Sequence, residues 1–305
     1  MRVLVTGASG FVGRALTQSL SRAGYHIRAA ARDRAKIPAA EFVEAVRLPD
    51  LMRPVDWRPL LADVDAVVHL AGLAHVSTKI PVENYDRINR VATKELVLQA
   101  SLAPQVRRLV FVSSIRAQTG PSADHVLTEE DVPQPVDPYG RSKLAAEAFV
   151  RGYGVPYTIL RPTVIYGPDA RANVAKLLRM ASLPLPLPFG AFKSQRSLLA
   201  LENMVSAIHF VLEHPATANQ TYIVADPQPV SLADMIATLR EARGLSPGLV
   251  RVPEKWVGAS LRKLGKADAW ERIGGSLVAD ITKLRESGWS PPTDTPHALA
   301  QLVRK

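Results

Sequence analysis

The sequence predicts an α/β fold, a doubly wound parallel sheet with a smaller C-terminal region, and three observations carry that prediction. Apolar strand-like stretches alternate with helix-period stretches from residue 2 to about residue 165, as a parallel sheet with crossover helices demands. The alternation opens on a short apolar run that breaks into Gly7-Ala-Ser-Gly10-Phe-Val-Gly13, followed by a helical period through Phe11, Ala15, Leu16 and Leu20. Beyond Pro162 the character changes. Ser182-Leu-Pro-Leu-Pro-Leu-Pro-Phe189 is an extended, proline-punctuated stretch that cannot be helix.

The elements follow in order. Strands are expected near 2–6, 26–31, 43–47, 66–70, 108–113 and 157–161, and helices near 12–23, 57–62, 84–102 and 139–152. Asp137-Pro138 supplies a cap and a first-turn proline for the last of these helices. With 305 residues, 47% of them hydrophobic, the chain buries a large core, and one large domain plus a smaller one is expected. Cysteine is absent, which excludes disulfides, cysteine catalysis and thiolate metal sites, and no metal is expected. The first strand begins at once with no secretory pattern, and no stretch approaches the roughly 20 apolar residues of a membrane span. A cytoplasmic protein without membrane insertion is expected. The net charge is +10. Its basic residues are dispersed along the sequence without a dense run or aromatic interleaving, which reads as a positive surface for anionic ligands and not for nucleic acid.

Two motifs carry chemistry. Gly7 permits a tight turn, Gly10 lets backbone N–H groups approach a pyrophosphate, and Gly13 lets the following helix pack closely on the strand. A second strand after Gly24 completes the βαβ unit that a dinucleotide site requires. Far downstream, Tyr139 and Lys143 are four apart and share one helix face, where the ammonium is expected to lower the phenol's pKa. A phenol tuned in this way exchanges the proton of a carbonyl or hydroxyl while a nicotinamide exchanges hydride. The strand at 108–113 leads into Ser113 and Ser114, at the sheet end where ligands bind.

On these residues the sequence resembles the extended short-chain dehydrogenase/reductases, in their nucleotide-sugar epimerase/dehydratase/reductase branch. The resemblance runs through TGASGFVG at 6–13, VDAVVHLAG at 64–72, Asn89-x-x-x-Thr93, VSS at 112–114, Tyr139-x-x-x-Lys143, RPTVIYGP at 161–168, RSLLALENMVSAI at 196–208 and LRESGWSPP at 284–292. It implies a Rossmann-type NADP-binding domain over 1–165 and a substrate-binding region over 166–305, with a helix near 201–214 and a strand near 221–224 returning to the first. Ser114, Tyr139 and Lys143 are the implied catalytic residues. Ser114 orients the substrate oxygen, and Lys143 also binds the nicotinamide ribose. The implied cofactor contacts are Gly7, Ser9, Gly10, Phe11, Val12, Gly13, Arg14, Arg32, Asp50, Leu51, Leu70, Ala71, Gly72, Asn89, Tyr139, Lys143 and Pro162. Among them Asp50 meets the adenine amino group, and Asn89 fixes backbone near the catalytic lysine. Asn173 and Arg196 resemble the family's diphosphate ligands, with Arg272 a further phosphate ligand. His75 either faces the sugar or phosphate or is a packing residue. Val164 stands where sugar epimerases carry a substrate-contacting Asn.

The second strand ends Ala29-Ala30-Ala31-Arg32. A carboxylate there binds the NAD ribose, whereas a nearby arginine accommodates the 2′-phosphate of NADP. The family's carboxylate would fall at Ala31, so Arg32 and Arg14 point to NADP(H) ahead of NAD(H), with Asp33 the residue left to serve NAD. The acids that follow the catalytic residue in family dehydratases are replaced by Ile115-Arg116, which removes 4,6-dehydration and leaves hydride transfer. The pattern Leu-Ala-x-x-x-His-Val with Phe-Gly-Ala-x-x-x-x-Arg-Ser-Leu is similar to bacterial 4-reductases of UDP-4-keto-6-deoxy-N-acetylhexosamines, of the type forming UDP-N-acetylquinovosamine for surface polysaccharide. The leading expectation is therefore NADPH-dependent reduction of a UDP-sugar C4 ketone. Its alternatives are a 4-epimerase with tightly bound NAD and a non-catalytic NADP-binding sensor or scaffold. A homodimer is expected through the helices near 84–102 and 139–152, by Leu96, Val97, Ala100, Ala145, Ala146 and Phe149.

Overall fold

The computed structural model describes residues 1–73, 80–168, 173–263, 265 and 274–303. Its strands are β1 (Arg2–Thr6), β2 (His26–Ala31), β3 (Val43–Arg47), β4 (Ala66–His69), β5 (Arg108–Val112), β6 (Val126–Leu127) and β7 (Tyr157–Pro162). The remainder are β8 (Val164–Tyr166), β9 (Gln195–Arg196), β10 (Leu198–Ala200), β11 (Gln220–Val224), β12 (Val230–Ser231) and β13 (Val278–Ala279). Seven of them form one sheet in the order β11-β7-β5-β4-β1-β2-β3, with every neighbouring pair parallel. A parallel sheet is covered on both faces, which is why its inner strands read as largely apolar runs, whereas the edge strand β3 carries Glu44 and Arg47. Val3 and Val5 join the core on one face and Leu4 the core on the other.

The helices that cover the sheet are α1 (Phe11–Arg22), α2 (Arg58–Leu61), α3 (Val82–Tyr85), α4 (Ala92–Ser101) and α5 (Pro138–Gly152). Beyond them come α6 (Asn173–Ala181), α7 (Leu201–Glu213), α8 (Leu232–Glu241) and α9 (Glu254–Lys263). The core under α1 also takes Met204, Ile208 and Val211 of α7, and β11 pairs with β7. A later part of the chain therefore completes the first sheet. A separate apolar cluster joins Tyr166, Leu198, Met235, Leu239 and Leu299 in the C-terminal region.

One expected helix is not continuous. The stretch near 84–102 is α3, then a π-helical segment Asp86–Val91, then α4. Thr93 Oγ1 donates to Asn89 O at 2.6 Å, placing a side chain in the backbone ladder, and such insertions bend or widen helices. The apolar surplus expected for a dimer is also smaller. Leu96, Val97, Ala100 and Ala146 lie in the chain's own core, leaving Leu98 and Leu102 exposed and Ala145 and Phe149 half-buried.

Candidate active site

Strand order reverses between β1 and β4, the place where open α/β sheets bind ligands. Gly7 has φ +72° and packs on the end of β4, where an added Cβ would lie 2.9 Å from Ala71 N. At Gly13 a Cβ would fall 2.2 Å from Gly7 O. Neither position takes a side chain without moving backbone. Gly10 caps α1 without a side-chain hydrogen bond, and the first turn carries no acid, so its N–H donors and dipole suit a phosphate. These residues fit a pyrophosphate-bearing dinucleotide. Thr6 Oγ1 fixes the facing loop by accepting from Leu70 N at 3.2 Å and Ala71 N at 3.1 Å.

The end of β2 is cationic. Ala31 is buried and Arg32 exposed. Asp33 turns away from the strand, its carboxylate accepting from Ala35 N at 3.1 Å and pairing with Lys36 at 3.3 Å. Arg14 and Lys36 line one cavity of about 390 Å³ beside Phe11. Asp50 closes a turn by accepting from Met52 N at 3.0 Å, and Leu51 behind it is buried.

The catalytic candidates meet where β5 ends against the start of α5. Asp137 caps α5 through Gly140 N at 2.7 Å, and its other oxygen holds Arg116 Nε at 3.1 Å. That pair seats Tyr139 on the first turn, buried beside Ser114, which hydrogen-bonds the phenol. Burial raises the Tyr139 pKa above the usual phenol value, the Ser114 hydrogen bond pulls it down, Asp137 pushes up, and the Arg116 guanidinium pulls down. The expected tuning of the phenol by Lys143 is therefore corrected. Lys143 shares the helix face, but its Nζ donates to Val112 O at 2.7 Å and sits 4.4 Å from the Phe111 ring centre. Burial brings the Lys143 pKa down to about 8, with Glu147 opposing the shift.

Asn89 lies buried on the π-helical segment, accepting from Leu73 N at 2.8 Å and donating to Leu73 O at 3.2 Å and Ser142 Oγ at 3.0 Å. It thus ties the loop after β4 to the residue preceding Lys143. Pro162 ends β7 at the same edge of the sheet. Arg196 donates to Gly275 O at 2.6 Å and Pro121 O at 2.8 Å, and the nearby Arg116 charge, after burial, lowers its pKa. Val164 is exposed. His75, Arg272 and the side chain of Asn173 lie outside the described residues.

Three contributors were missed in the sequence. In the sequence Arg116 reads only as a missing acid, yet its charge reaches both Tyr139 and Arg196. Glu147, fully buried on α5, accepts from Ser113 Oγ at 2.6 Å and from Arg161 at 3.0 and 2.7 Å, and Arg161 also donates to Gln118. Burial alone would raise the Glu147 carboxyl, but Arg161, Ser113 and Arg151 hold it below the usual range. The spacing Lys143-x-x-x-Glu147 was the available signal, since i,i+4 puts it on the catalytic face.

The third is His69, only 1% exposed, whose ring nitrogens lie 2.8 Å from Thr6 Oγ1 and 3.1 Å from Thr93 Oγ1. Burial and then the Lys143 charge bring its pKa down to about 3. The unfolded chain therefore takes the proton first, and stability present above the ordinary histidine pKa of about 6.5 is lost as pH falls toward 3. From about pH 7.5 to pH 5 the loss should be about 2 kcal/mol. Urea midpoints of wild type and His69→Gln at the two pH values check this, and an equal acid loss in both proteins contradicts it.

Residues 3–225 match the NAD dependent epimerase/dehydratase family. The chain belongs to that family. Membership makes this epimerase/dehydratase-family protein an NAD(P)-dependent enzyme. It is 34% identical to a UDP-glucose 4-epimerase of Vibrio cholerae, over 99% of this chain and 94% of that one. It is 28% identical to a dihydroflavonol 4-reductase of Zea mays, over 95% and 90%. The solved structure of MoeE5 in complex with UDP-glucose and NAD superposes with a TM-score of 0.76 at 25% identity, covering 100% of this chain and 98% of that one.

Proposed function

We propose that this enzyme reduces the C4 ketone of a UDP-linked 4-keto-6-deoxy-sugar with NADPH, a step in making surface-polysaccharide precursors. The observation that carries the reading is the end of β2, where Ala31 takes the place of a ribose-binding carboxylate, Arg32 is exposed, and Asp33 faces Ala35 and Lys36. Arg14 and Lys36 beside one cavity add two cations for a 2′-phosphate. When bound, the nicotinamide supplies the hydride. Tyr139 holds the proton destined for the C4 oxygen, and Ser114 orients that oxygen against the phenol. Lys143, which donates to Val112 O, would bind the nicotinamide ribose. Ile115 and Arg116 offer no acid to expel a hydroxyl, in keeping with reduction and against dehydration.

A 4-epimerase with tightly bound NAD is the second reading, favoured by the likeness to the Vibrio cholerae UDP-glucose 4-epimerase. The two part at the cofactor. Steady-state constants should show NADPH preferred over NADH, and Arg32→Asp should reverse or remove the preference. Equal use of both cofactors by both proteins contradicts the reductase reading.

A further inference from the structure

The positive charge that looks dispersed along the sequence is gathered by the fold. Segments 173–196 and 240–263 hold ten Lys and Arg residues against Glu241 and Glu254, a balance of +8 in a chain whose total is +10. The two segments run side by side, with Leu187 N on Gly248 O at 2.9 Å, Val250 N on Leu187 O at 2.9 Å and Gly190 N on Val250 O at 3.0 Å. Buried Arg240 fastens them together. It donates to Ala181 O at 3.3 Å and Leu185 O at 3.1 Å on one side, and to Pro247 O at 2.9 Å and Gly248 O at 3.1 Å on the other. Pro184, Pro186 and Pro188 have no N–H to offer a ladder, so Arg240 satisfies carbonyls that a regular strand would have paired.

Held this way, the proline stretch turns apolar side chains outward. Leu185 is 63% exposed, with Leu183 exposed on the same stretch, and the second segment exposes Leu245, Val250 and Trp256, the last at 64%. These five are a third of the fifteen large apolar side chains exposed among the described residues, so the lobe is at once cationic and an unusually apolar part of the surface. Exposed Lys176, Arg179, Lys193, Arg243, Arg251 and Lys255 belong to the same two segments.

We propose that this lobe is a docking surface for an anionic lipid bilayer. Leu183, Leu185, Val250 and Trp256 enter the headgroup region, and the surrounding Lys and Arg rest on lipid phosphates. Tryptophan and leucine set among cations are what an interfacial site needs, since the rings and aliphatic chains leave water while the charges stay at the phosphate level. A nucleic acid would satisfy the cations but give Leu183, Leu185 and Val250 nothing to pack on, and a protein partner would leave the charge balance to be matched by an equally acidic face. No helix among the described residues is long and apolar enough to cross a membrane, so the association is peripheral. The proposal is independent of the reaction assigned above.

Sedimentation of the full chain with extruded vesicles tests it. Partitioning onto phosphatidylglycerol vesicles should exceed that onto phosphatidylcholine vesicles by at least about tenfold and fall as salt rises. Leu185→Glu combined with Trp256→Glu should lower it at least about tenfold, while Leu98→Glu, on exposed α4 surface, leaves it unchanged. Arg251→Glu with Lys255→Glu reads the charge separately, at roughly fivefold or more per reversed cation, and circular dichroism melts report whether each variant is folded. Absence of vesicle binding, or binding that both double variants retain, overturns the proposal. So does tighter binding to duplex DNA than to phosphatidylglycerol at equal salt.

Discussion

Tyr139→Phe is expected to cut turnover at least about a hundredfold while leaving NADPH affinity nearly unchanged, the scale of a lost general acid. The phenol is buried at the end of β5, hydrogen-bonded to Ser114 and beside the Arg116 charge. Loss of the hydroxyl removes the proton donor and little packing. Ser114→Ala should fall mainly on turnover, since its hydroxyl positions the reacting oxygen. Lys143→Ala should weaken both cofactor binding and turnover. Fluorescence titration with NADPH beside single-turnover assays separates these effects. A phenylalanine variant that works at the wild-type rate would show that the motif is structural.

The second large effect concerns stability. Glu147→Ala should cost about 3–5 kcal/mol, because it leaves the Arg161 guanidinium, also buried, without its bidentate partner and takes the acceptor from Ser113. Removing both charges with apolar residues of similar size should recover much of the loss, since a buried ion pair contributes little net stability over a well-packed apolar pair. Urea unfolding of the single variant and of Glu147→Met with Arg161→Met measures this. A single variant as stable as wild type contradicts the network's role.

Most of the sheet was legible because a two-sided parallel sheet leaves an unmistakable trace. Apart from the edge strand Val43–Arg47, the expected strands from Arg2–Thr6 to Tyr157–Pro162 are short, largely apolar runs, and the structure moves their ends by at most a residue or so. The glycine turn was equally plain, since Gly7 and Gly13 stand where backbone approaches backbone. What the sequence concealed depends on where side chains lead after they leave the helix. Four-residue spacing put Lys143 on the face of Tyr139, but a carbonyl at the end of β5 and the Phe111 ring draw its ammonium into the sheet. The π-helical segment around Asn89 leaves no periodic signature in the sequence. Nothing in the sequence pairs Arg161 with Glu147 until β7 and α5 are brought together. The cationic lobe is invisible to any scan for charge runs, being assembled from segments more than forty residues apart in sequence.

Deuteride transfer distinguishes net reduction at C4 from epimerisation. Purified enzyme would be given deuterated NADPH and a UDP-4-keto-6-deoxy-sugar generated in situ by a dehydratase, and the sugar product analysed by mass spectrometry and NMR. The reductase account predicts one deuterium at C4 for each NADPH oxidised. Interconversion of UDP-hexose C4 epimers on NAD that travels with the purified protein, with no consumption of added NADPH, would contradict it.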